Sequence, residues 1–155
     1  TGWRVGYCAG PCDLVQAMFL VLQQSSRGPA TFVQDAAVAA LRGPQSCVAD
    51  MRSEYVRRLE QVISRTKNIP GVRPIRPEGG FFAMLDVREL GLPSDEIRRR
   101  LLNEFGVAVV HGAAYGPGAE GMLRVSFASG GENLTRGLDR LEAGLRAIGE
   151  HNDVY

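Results

Sequence analysis

The sequence predicts an α/β chain whose C-terminal half is a small α+β lobe, a sheet covered by helices on one face. Three observations lead there. Apolar residues recur every three or four positions through three successive segments between residues 13 and 66, the period of amphipathic helices. From Val72 onward, short apolar runs alternate with two further helical patterns, the order expected when helices pack on a sheet. Gly10-Pro11, Gly28-Pro29, Gly43-Pro44 and Pro70-Gly71 punctuate the first part of the chain with turn chemistry.

Trp3 to Ala9 reads as a short strand ended by Gly10-Pro11. Asp13 is placed to cap the helix that follows, on which Leu14, Met18, Val21 and Leu22 share a face. The next helix carries Phe32, Ala36, Ala37, Ala40 and Leu41 and stops at Gly43-Pro44; its small residues allow a neighbour to approach closely. From Ser46 to about Thr66, Met51, Tyr55, Leu59, Val62 and Ile63 describe one long amphipathic helix. Val72 to Pro77 suits only a sheet edge, because its prolines have no N–H for a ladder. Phe81 to Val87 is apolar throughout and reads as a central strand.

Ser94 is expected to cap a helix with Asp95 and Glu96 in its first turn, Ile97, Leu101 and Phe105 inward, and Gly106 past its end. Val107 to Val110 reads as a buried strand, and Met122 to Phe127 as another. Ser129 and Glu132 have capping-box spacing before a helix bearing Leu134, Leu138, Leu141, Leu145 and Ile148. The tail from His151 to Tyr155 is expected to fray.

Composition narrows the function classes. Eighteen basic and 17 acidic side chains leave a net charge of +1, which argues against capture of nucleic acid or a membrane surface. Three cysteines, Cys8, Cys12 and Cys47, lack CxxC spacing, so neither a disulfide framework nor a zinc site is expected, and a cytoplasmic setting fits. His111 and His151 are too far apart to suggest a metal site. No apolar run approaches the roughly 20 residues that span a bilayer. The start, Thr1-Gly2-Trp3-Arg4, has neither an initiator Met nor a signal peptide, so the chain reads as a portion of a longer protein.

Few residues carry chemistry. Alternation along Met122 to Phe127 puts Leu123, Val125 and Phe127 on one face and Arg124 with Ser126 on the other. An arginine there is either a solvated surface charge or a carboxylate clamp, since a guanidinium on a rigid strand offers a planar fork. Arg4, beside glycines, poses the same choice for a phosphate or carboxylate. Tyr115 and Tyr7 could donate hydrogen bonds, but buried tyrosine tips are common and neither is singled out. Gly116-Pro117-Gly118-Ala119-Glu120-Gly121 matches GxGxxG but precedes a strand, whereas a dinucleotide fingerprint opens a helix. Lys67, the sole lysine, sits at a helix C-terminus and serves there as a cap for the dipole.

Four segments, in order, resemble the class I and II aminotransferases, fold type I enzymes that use pyridoxal phosphate. They are Thr1-Gly2-Trp3-Arg4-Val5-Gly6-Tyr7, Pro77-Glu78-Gly79-Gly80-Phe81-Phe82, Gly106-Val107-Ala108-Val109-Val110 with Gly112, and Met122-Leu123-Arg124-Val125-Ser126-Phe127-Ala128. The departure is His111, where relatives commonly have proline. The resemblance implies that Arg4 holds the cofactor phosphate, that Arg124 binds the substrate α-carboxylate, and that the segment containing Gly80 lines the substrate pocket.

It further implies residues 1–43 as part of a large cofactor-binding domain, 44–70 as a connecting helix and 71–155 as the small domain. The Schiff-base lysine is expected upstream of Thr1, so no catalytic residue lies in this chain and the chain alone is expected to be inactive. Amino acids and 2-oxo acids are the implied substrates and a homodimer the implied assembly. An aminotransferase-like sensing domain of a transcription regulator, or a lyase on the same fold, are the alternatives that these motifs leave open.

Overall fold

The computed structural model describes residues 2–150; Thr1 and the tail 151–155, where fraying is expected, lie outside the described residues. The chain divides into two compact units, one up to Val48 and one from Ala49 onward.

In the first unit, α1 (Cys12–Ser25) and α2 (Thr31–Arg42) are followed by the start of α3 (Ser46–Thr66). The strand expected over Trp3 to Ala9 is absent: the segment is irregular, and Arg4 takes a left-handed backbone with φ 53°. The physical reason is twofold. A left-handed residue breaks the pleat, and the described part of this unit has no strand to accept a ladder. Asp13 does not cap α1, because the helix already begins at Cys12 after Pro11; the carboxylate sits in the first turn and complements the dipole. The predicted face of α1 exists, yet Leu14, Met18, Val21 and Leu22 are all exposed and the helix has no buried residue. On α2 only Val33 is buried.

The second unit holds a four-stranded antiparallel sheet in the order β1-β2-β4-β3, with β1 at Arg73–Ile75, β2 at Phe82–Asp86, β3 at Val110–His111 and β4 at Met122–Ser126. As the prolines require, β1 is an edge, and β2 lies between β1 and β4. One sheet face carries Ala83, Leu85, Leu123 and Val125, all buried. Over that face lie Ile97 and Leu101 of α4 (Ser94–Phe105), Val62 of α3, and Leu134, Leu138, Leu141, Leu145 and Ile148 of α5 (Gly131–Glu150), in one apolar core. Gly144 lets α4 approach α5: a methyl group there would meet Leu101 Cδ2 at 2.6 Å. The opposite face, with Phe82, Met84, Val110 and Arg124, is half-buried. This asymmetry determines where a ligand can reach the sheet.

Three local expectations are corrected. Ser94 is the first residue of α4, preceded by Pro93, and its side chain does not cap its own helix. Instead, Glu120 accepts from the Ser94 backbone N–H at 2.8 Å and hydroxyl at 2.9 Å. The strand expected at Val107 to Val110 is shorter and later, because Gly106 adopts φ 65° and Val107 N–H closes α4 by donating to Leu101 O. Last, α5 begins at Gly131, itself at φ 58°, and no capping box forms at Ser129 and Glu132 among the described residues. Arg58 holds the approach to α5, donating to Ala128 O at 2.6 Å.

Candidate functional site

Arg124 stands at the centre of the half-buried sheet face. Its Cα pairs with Met84 on β2 and with Val110 on β3, so strands flank it on both sides. Leu123 and Val125, its neighbours in sequence, point into the core and fix the register. A one-residue slip would bury the guanidinium among leucines, which its hydration forbids.

Two aromatic rings hold the guanidinium. Its Cζ lies 4.1 Å from the Phe82 ring centre and 5.0 Å from that of Tyr115. Among the described residues, no carboxylate, carbonyl or hydroxyl accepts a hydrogen bond from the Arg124 side chain. The five N–H donors of a guanidinium lie in its plane, and ring faces attract the charge without satisfying those donors as an anion would. A restrained, unpaired cation on a half-buried sheet face is ready for a planar anion.

Phe82 is the fixed wall. Its ring lies 4.5 Å from Phe81, which stacks on Tyr55 of α3, and Tyr55 meets the buried Phe127 edge-on. Tyr115 is the wall carried by a loop. It ends a 3-10 turn at Gly112–Tyr115 and is exposed, and it meets Arg124 through its ring face. Helical or strand periodicity could not have found it, because the contact is made across a turn.

That loop is anchored at several points. A methyl group on Gly112 would collide with the Ala119 carbonyl oxygen and lie 2.8 Å from Met122 Cβ. Glu120 is bound to Ser94, and these two hydrogen bonds hold its carboxyl below the ordinary carboxylate range. Gly121 O accepts from Val87 N–H at 2.8 Å. Beside it, the nearly buried Asp86 accepts from Arg88 and Arg73. The Arg88 hydrogen bonds, aided by Arg73, pull the Asp86 carboxyl well below its usual range against the cost of burial.

His111 occupies the start of this loop, with φ −74°. That value lies in the range a proline ring imposes, so the backbone follows the course that a proline would give it. Its Nε2 is 3.8 Å from Asp95 Oδ1, and its Nδ1 is buried without a hydrogen-bond partner among the described residues. Gly80 precedes β2 with φ 77° and open space where a side chain would stand, a position that favours glycine.

Arg4 lies in the other unit. With Trp3, Gly6, Ala36, Ala37 and Ala40 it lines an open groove of about 610 Å³. The small residues of α2 are what leave this space. Arg4 has no acidic partner among the described residues.

The profile of the family described as aminotransferase class I and II matches residues 1–141. This chain belongs to that family. Among its relatives, the arginine–pyruvate transaminase of Pseudomonas aeruginosa is 40% identical over 141 residues, covering 91% of this chain and 36% of that protein. The aspartate aminotransferase of Pyrococcus abyssi is 38% identical over 148 residues, 94% of this chain and 38% of that protein. The crystal structure of the aromatic aminotransferase of Pyrococcus horikoshii OT3 superposes with a TM-score of 0.84 at 34% identity, covering 98% of this chain and 40% of that one. The chain thus spans well under half the length of the aminotransferases that it matches. Its mixed helix and sheet architecture is that of fold type I aminotransferases.

Among the described residues no helix is long and apolar enough to cross a membrane.

Proposed function

We propose that this chain is the part of a transaminase that binds the substrate carboxylate at Arg124 and the cofactor phosphate at Arg4. The complete protein then moves an amino group between an amino acid and a 2-oxo acid. One observation carries the reading: Arg124 is a guanidinium held by Phe82 and Tyr115 with every donor free of a protein acceptor among the described residues. A charge of this kind costs hydration to hold in place, and a bound anion offsets that cost.

The fit to pyridoxal phosphate rests on Arg4. An unpaired guanidinium in a groove lined by glycine and alanine offers charge and space to a phosphate. When bound, pyridoxal phosphate supplies the electron sink for negative charge developing at the substrate Cα. The residues of this chain do the rest by position. Arg124 takes the α-carboxylate in its fork and so fixes which Cα bond faces the cofactor. Gly80, without a side chain, leaves room for the substrate at the entry to β2. Lys67 is exposed at the end of α3, so the amine that bonds the cofactor is supplied from outside residues 1–155 in this reading. Residues 1–43 then belong to the large domain and 71–155 to the small one. A cytoplasmic homodimer completes the proposal.

The test uses the complete protein. Arg124→Ala is expected to weaken pyruvate binding, read by ligand-observed NMR, roughly tenfold or more. Arg4→Ala is expected to lose pyridoxal phosphate on dialysis, read by absorbance. Unchanged pyruvate affinity in the first would overturn the carboxylate assignment, and unchanged retention in the second would overturn the phosphate assignment. A protein that binds both ligands yet exchanges no amino group is a sensing relative.

A further inference from the structure

We propose that Tyr115 is a positioning residue for Arg124, restraining its guanidinium beside Phe82 so that the donor edge is presented to a substrate carboxylate. The inference rests on the reading of Arg124 as the carboxylate site. It adds the residue that sets how well that site is organised.

A free arginine explores many rotamers, and a ligand that captures it must oppose that rotamer entropy. Ion pairing within the protein would remove that freedom but also consume the donors. Arg124 takes a different course: its Cζ is 4.1 Å from the Phe82 ring centre and 5.0 Å from the Tyr115 ring centre, and no acceptor engages its N–H groups among the described residues. Cation–π contact restrains the charge while the donors stay available.

The two rings are not equivalent. Phe82 is set in β2 and backed by Phe81, Tyr55 and Phe127, so its place follows from the core. Tyr115 is 57% exposed and buries little, so its contribution to the core is small. Its position follows from the loop, which is pinned by Gly112 against Ala119, by Glu120 on Ser94 and by Gly121 on Val87. Gly116, directly after it, has φ 123°, a conformation reserved for glycine. An exposed aromatic held by so many anchors over a functional arginine is explained by what it does to that arginine.

The experiment compares Tyr115→Leu, Tyr115→Phe and Arg124→Ala in the complete, cofactor-loaded protein. Pyruvate affinity is read by ligand-observed NMR, KM and kcat by steady-state kinetics, and folding by thermal melting. Tyr115→Leu is expected to weaken pyruvate binding and raise KM roughly three- to tenfold, with a smaller change in kcat and a melting temperature near that of the parent. Tyr115→Phe keeps the ring face and is expected to stay within about twofold of the parent.

If Arg124→Ala loses affinity while Tyr115→Leu keeps it, the positioning role is wrong and the carboxylate site stands. If Tyr115→Phe is as weak as Tyr115→Leu, the hydroxyl and not the ring acts, and the proposal also falls. If Arg124→Ala keeps affinity, the underlying reading fails and takes this inference with it.

Discussion

Glu120 accepts both the backbone N–H and the hydroxyl of Ser94, at 2.8 and 2.9 Å, and so ties the loop beyond Tyr115 to the first turn of α4. Cap and loop anchor are the same carboxylate. Glu120→Ala is therefore expected to lower the melting temperature by roughly 2–6 °C and to raise KM for the amino donor, because the loop bearing Tyr115 loses one attachment. Thermal melting and steady-state kinetics on the same variant check the two effects together. A variant that melts early with an unchanged KM separates the cap from the site.

Asp86 sets the acid limit of this region. Its carboxyl is held low by Arg88 and then Arg73, so the folded state binds this proton less readily than the unfolded chain. The stability it contributes is complete above the ordinary value of 3.8 and is lost as the pH falls through the depressed folded value. Asp86→Asn is expected to cost about 1–3 kcal/mol at neutral pH, and the gap to the parent is expected to narrow as the pH drops below 3.8. Urea titrations at several pH values give the comparison, and a gap constant with pH would count against the assignment.

Gly112 has no room for a methyl group, because Cβ would strike the Ala119 carbonyl oxygen. Gly112→Ala is expected to destabilise by about 1–3 kcal/mol through forced displacement of the loop, and to raise KM by moving Tyr115. Gly118→Ala, at a position with nothing within 4 Å, is the control and is expected to change neither.

Arg124→Lys separates charge from geometry. Lysine keeps the positive charge but loses the fork and the planar group that the rings hold. Pyruvate affinity is expected to fall roughly three- to fivefold, less than the loss in Arg124→Ala. Equal affinities for lysine and arginine would mean that charge alone is recognised.

Much of the second unit was legible in the sequence because its elements have strong periods. The stripe from Leu134 to Ile148 is buried as its spacing demands, and the alternation of Leu123, Val125 and Phe127 placed Arg124 on the open face. Prolines assigned β1 to the edge. What escaped was what depends on residues distant in sequence. Ser94 and Glu120 meet across 26 positions, and no local rule connects them. Ser94 therefore read as a cap when it is the group being capped. Tyr115 escaped likewise, since its partner is chosen by where a turn happens to point. The strand expected around Trp3 failed for a simpler reason: β propensity without a partner strand has no ladder to form.

Arg4 sits at φ 53°, where an L-residue carries about 1–2 kcal/mol that glycine does not. On the proposal that Arg4 holds the cofactor phosphate, heat tolerance and cofactor capture select in opposite directions at this one position. A library screened only for thermal survival is then expected to drift to glycine there, while one screened for the proposed cofactor-dependent reaction is expected to hold arginine.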